Sequence, residues 1–89
     1  MKGLYFWVDN KKKFYEAKLK IPEAIRDGCD YICICGDEKY ILRLVDLMAI
    51  YFKENIIYRD FRQYKCIYGF RNRSKLEEYL RKAGLLDYI

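Results

Sequence analysis

The chain contains no histidine. This removes the most common general base at neutral pH, the usual nitrogen ligand of zinc, and every Ser/His or Cys/His relay. Proline occurs once and glycine five times in 89 residues, which excludes collagen-like and low-complexity chains. Long apolar runs are also missing. The longest, residues 47–52, falls far short of the ~20 residues that a membrane-spanning helix needs. The run at residues 4–8 is too short for a secretory signal, and no small-residue cleavage site follows it. The expectation is a cytoplasmic chain with no membrane contact, no metal and no cofactor.

What is present points to one folded domain. The apolar fraction is 53% and the charged fraction 35%, a balance foreign to disordered chains. Ten Tyr, five Phe and one Trp make the chain rich in rings. So many tyrosine hydroxyls cannot all be central in a small domain, so several are expected at the surface, where Tyr suits recognition. Cys29, Cys33, Cys35 and Cys66 lack the pair two residues apart that forms a zinc half-site. In a reducing cytosol all four are expected to be buried, reduced thiols, with Cys33 and Cys35 on one face of a strand.

The pattern along the chain reads as α+β: an antiparallel or mixed sheet of four to five strands packed on a buried central helix, with a helix at the C-terminal end. Residues 4–8 read as a strand. Tyr15, Ala17, Leu19 and Ile21 alternate with polar residues, which predicts a second strand over 14–21 in a hairpin with the first; a helix there is the competing reading. Pro22 fits the first turn of a short helix that Gly28 ends. Residues 31–35 read as a buried strand. Residues 38–53 carry only a narrow polar stripe and predict the central helix, with Asp37 as its cap. Two β-rich patches, 56–59 and 64–70, form a second hairpin. Ser74 and Glu77 form a capping box for a helix over about 75–83, stopped by Gly84. Glu77–Arg81 and Glu78–Lys82 are spaced as ion pairs along it. The apolar tail, residues 85–89, is expected to pack back or to meet a partner.

Charge is segregated along the sequence. Residues 1–20 carry six basic and two acidic groups, residues 21–38 one and five, and residues 55–75 six and one. In the last of these segments Arg59, Arg62, Lys65, Arg71, Arg73 and Lys75 are interleaved with Tyr64, Tyr68 and Phe70. Cations serve phosphates or carboxylates, and rings serve bases or protein surfaces. These nine residues are the candidate binding surface. The acidic residues Asp27, Asp30, Asp37 and Glu38 lack the spacing of a calcium loop. Asp9, Glu16 and Lys18 are the one set with nuclease-like residue types: two carboxylates for Mg²⁺ and a lysine to polarise water, provided Glu16 and Lys18 share a strand face.

The expected function is therefore non-enzymatic. The chain reads as a stoichiometric binding protein, an inhibitor or adaptor of a larger protein or nucleoprotein complex in the style of phage and mobile-element anti-defence proteins. Direct binding of single-stranded DNA or RNA is the alternative, a small Mg-dependent nuclease on Asp9, Glu16 and Lys18 is the remaining one, and a homodimer is compatible with either binding mode.

Overall fold

Phe14, Ala17, Ile21, Ala24 and Ile25 are buried and recur every three to four residues, which is the period of a helix and not of a strand. In the computed structural model, which describes residues 3–84, they form the inner stripe of one long helix, α1 (Lys11–Arg26). The second strand and the short helix after it are thus replaced by one helix. The period-two alternation fails because Tyr15 and Leu19 point outward. Asn10 starts α1, its side chain accepting the Lys13 backbone N–H at 2.9 Å. Pro22 lies inside the helix rather than at its start, so the carbonyl of Lys18 loses its helical donor.

The other elements follow the sequence closely. They are β1 (Gly3–Val8), β2 (Tyr31–Gly36), α2 (Glu38–Phe52), β3 (Ile56–Asp60), β4 (Lys65–Phe70) and α3 (Arg73–Lys82). The strands form one mixed sheet in the order β1-β2-β4-β3. β1 runs parallel to β2, and β4 is antiparallel to both β2 and β3. All six residues of β2 are buried, as expected for a central strand covered on both faces.

One face of the sheet carries α1 and α2. Val8, Ile32, Ile34 and Ile67 meet Phe14, Ala17 and Ile21 from α1 and Ile41, Leu44, Met48 and Phe52 from α2. Fully burying such a side chain contributes about 1.5–3 kcal/mol. Gly69 lets α2 approach, since a Cβ there would overlap the Phe52 ring and the Met48 methyl. Gly36, at φ +150°, has no room for a Cβ against the Val8 carbonyl. Where α1 and α2 touch, the Phe14 ring is shared by two cations, Arg43 at 4.6 Å and Lys18 at 5.4 Å from its centre. α2 is less buried than its narrow polar stripe implies, because Leu42, Ile50 and Tyr51 are exposed. Asp37 precedes it but makes no side-chain cap bond.

The opposite face is covered by the shorter α3, through Leu76 and Leu80 over Tyr31, Cys33, Tyr68 and Phe70. The cap of α3 is Asn72, which accepts the Lys75 N–H, and not Ser74. Glu77 consequently pairs backward with Arg73 at 2.9 Å, while Glu78 pairs with Lys82 as the spacing predicts. Residues 85–89, for which an apolar packing segment was expected, lie outside the described residues. Among the described residues, no helix is long and apolar enough to cross a membrane.

The cysteines depart from expectation. Cys35 and Cys66 are joined in a disulfide; Cys29 and Cys33 are free and buried. The cause is register: the antiparallel pairing of β2 with β4 sets Cys35 directly opposite Cys66, Cα to Cα 4.1 Å, across a sequence separation of 31. That spacing belongs to the narrow, non-hydrogen-bonded type of cross-strand pair, and linear spacing does not reveal it. Alkylation of the denatured, unreduced chain is expected to label two thiols, and four after reduction; four before reduction would mean the bond is absent. Replacing Cys35 and Cys66 together by Ala is expected to lower unfolding stability by about 2–4 kcal/mol in urea titration.

Candidate partner-binding surface

The strand register places the expected site residues. On the α3 side of the sheet, Trp7, Cys35, Cys66 and Arg59 lie in one row, and Tyr5, Cys33, Tyr68 and Ile57 in the next. Tyr64, two residues before Cys66, continues the same face at the hairpin between β3 and β4. Its ring stacks on Phe61 at 4.8 Å and meets Trp7 at 5.4 Å. The hairpin is closed by the Phe61 N–H, donated to the Tyr64 carbonyl at 3.0 Å. Three rings thus form a line along one end of the sheet, with half-buried Arg59 behind them and exposed Arg62 at the hairpin tip. Tyr5, 50% exposed, flanks Trp7, 40% exposed, on β1.

The nine expected residues do not form one patch. Arg59, Arg62, Tyr64 and Lys65 gather at the hairpin, while Phe70, Arg71, Arg73 and Lys75 lie at the other end of β4, roughly 20 Å away at a strand rise of about 3.4 Å per residue. Between them Tyr68 is 1% exposed, and Phe70 is 9% exposed with the Arg73 cation over its ring. Both belong to the core, because α3 folds back over them, and neither offers a surface to a partner in the folded chain. Lys65 and Arg73 are among the cations engaged internally. Lys65 pairs with Asp60 and donates to the Phe61 carbonyl at 3.2 Å; the hydrogen bond it donates to the Asp60 carboxylate holds its ammonium above the ordinary lysine range. Arg73 is held by Glu77.

Tyr5 and Trp7 are the residues that sequence reasoning missed. Residues 4–8 were read as a uniformly apolar strand. The signal was there in the alternation: Leu4, Phe6 and Val8 face α1 and α2, while Tyr5 and Trp7, whose polar tips tolerate water, take the other face.

The nuclease set is not assembled. Its premise was a shared strand face, but Glu16 and Lys18 are two residues apart on a helix and so diverge in direction. Lys18 lies over the Phe14 and Tyr15 rings, and Asp9 pairs with Lys13 at 3.3 Å. The acidic residues are also divided: Asp27 and Asp30 precede β2, and Asp37 and Glu38 follow it. Among the described residues, no group of three His, Cys, Asp or Glu could hold a metal ion.

Burial dominates the electrostatics of the aromatic face. It pushes the Cys33 thiol up to about 12 and the Tyr68 hydroxyl up to about 12, and raises Tyr5, Tyr31 and Tyr79, which all feel the charge that Cys33 would carry. These groups are neutral near pH 7, so Cys33 is a packing thiol and not a nucleophile. The Tyr68 hydroxyl is buried and has no hydrogen-bond partner among the described residues. No family model, no curated protein and no solved structure matches the chain.

Two outcomes are expected. Tyr68→Phe removes an unsatisfied buried hydroxyl, so it should leave stability unchanged or raise it by up to about 1 kcal/mol; a clear loss in urea titration would reveal a partner for that hydroxyl. Because the folded Cys33 value lies above its ordinary 9.0, the unfolded chain releases this proton first. Its contribution to stability is full below pH 9.0 and is lost as pH rises toward 12. Urea midpoints should fall through that window, and less steeply in Cys33→Ala.

Proposed function

We propose that the chain is a stoichiometric binding protein that acts by occupying a surface of a larger protein or nucleoprotein complex and does no chemistry itself. In this reading it is an inhibitor or adaptor of nucleic-acid-handling machinery. The observation that carries the proposal is the line of rings Phe61, Tyr64 and Trp7, with Tyr5 beside it and Arg59 and Arg62 at its edge. Trp, Tyr and Arg are the residues that most often dominate protein–protein binding energy.

Direct binding of single-stranded DNA or RNA is the second reading, favoured by the exposed Trp7 and Tyr5 rings as stacking platforms. It fits less well. A nucleic-acid strand asks for a continuous cationic track, whereas the cations of residues 55–75 divide between two ends of β4, and Lys65 and Arg73 are already held by carboxylates.

The test compares the wild-type chain with the Tyr64→Ala, Arg62→Glu double variant as baits in the native host. One partner recovered in near-equimolar amount, and reduced about tenfold or more by the variant, is the expected result. Equal recovery on both baits would refute the surface. Trp7 is the only tryptophan, so its emission reports on the same site. Quenching by a single-stranded oligonucleotide at low micromolar protein, fading as salt rises, would put nucleic acid in the partner's place.

A further inference from the structure

Both edges of the sheet are strands, but they are not alike. β3 reads Ile-Ile-Tyr-Arg-Asp and ends in two charges. β1 reads Gly-Leu-Tyr-Phe-Trp-Val, with no charge and no proline, and matches β2 residue for residue over six positions without a bulge. Edge strands in monomeric proteins are usually blunted by charge, proline, a bulge or shortness, because their outer row of N–H and C=O groups invites another strand. β1 has none of these devices, and no described strand lies beyond it.

We infer that β1 is a pairing edge and that the strand covering it is β1 of a second copy of this chain. The strand is its own complement. Antiparallel pairing about a two-fold axis at Phe6 sets Tyr5 opposite the second copy's Trp7, and Leu4 opposite its Val8. Residues directly opposite share a face, so the exposed rings meet exposed rings on the α3 side, and the partly buried Leu4 and Phe6 lie on the helix-pair side, where Val8 is already covered by this chain's own core. Every pair from Leu4 to Val8 is apolar, and Asp9 falls opposite Gly3 at either end, outside that stretch. A two-fold contact also closes on itself, so the assembly stops at two copies with one continuous sheet. A foreign strand would need the same charge-free pattern on both faces, which nothing in the chain requires of another protein.

The test is sedimentation of the full chain from micromolar to high-micromolar concentration, with amide exchange of residues 3–8 measured over the same range. The expected result is a dimer mass and slower exchange in that strand as concentration rises. Tyr5→Lys places two lysines diagonally across the axis and should weaken association by about tenfold or more, whereas Tyr58→Lys on β3 should not. A monomer at all concentrations overturns the inference, as does a dimer that Tyr5→Lys leaves intact or that Tyr58→Lys breaks. If Tyr5→Lys does not fold, exchange in the wild-type strand decides: protection independent of concentration overturns it. Arg62→Glu alone, at the hairpin tip and away from the seam, should dimerise normally while weakening the partner surface, so this inference and the partner surface can fail separately.

Discussion

The pairing of β2 with β4 is the constraint on which the rest depends. Their antiparallel register runs without interruption from Tyr31 opposite Phe70 to Gly36 opposite Lys65. It divides the apolar residues between two faces: Ile32, Ile34 and Ile67 toward α1 and α2, and Tyr31, Cys33, Tyr68 and Phe70 toward α3. A slip of one residue would exchange the two sets and place isoleucines under α3 and tyrosines under the helix pair. The Cys35–Cys66 bond lies within this pairing and holds the register covalently. β1 and β3 are then added on either side, and the aromatic surface exists because Trp7 and the hairpin rings are aligned across this central pair.

Much of the fold was legible because local and long-range signals agree. Residues 31–35 are apolar and β-rich, residues 38–53 have a helical period, and the last helix keeps one of its two expected ion pairs, Glu78–Lys82. α1 was misread for a specific reason. Tyr15, Ala17, Leu19 and Ile21 alternate, and Pro22 looked like a helix start. The deciding residues were Phe14, Ala24 and Ile25, which fit only a helical stripe once taken together with Ala17 and Ile21. Exposed Leu19 supplied the false period. Propensity, which favours helix for Glu, Ala, Lys and Leu, was the better guide there.

The site was legible only in part, and for a different reason. Proximity in sequence was taken as proximity in space over residues 55–75, but a strand extends its residues in a line. Arg59 and Arg62 stay with Tyr64 because a hairpin brings them together, whereas Arg71 and Arg73 are carried to the far end by β4 itself. Tyr68 and Phe70 have the residue types of a binding surface, and it is the return of α3 over them that makes them core. Conversely, Tyr5 and Trp7 come from a strand more than fifty positions away in sequence. Their place beside Tyr64 depends on strand order, which a single sequence does not encode locally.

Sharing the Phe14 ring between Lys18 and Arg43 has a consequence for how the helical layer responds to its surroundings. An ordinary interhelical ion pair vanishes when its carboxylate takes up a proton. Here the acceptor is a π-cloud, which has no proton to gain or lose. This contact between α1 and α2 therefore needs no carboxylate partner, whereas the hairpin and the last helix each draw on one, through Lys65–Asp60 and Arg73–Glu77.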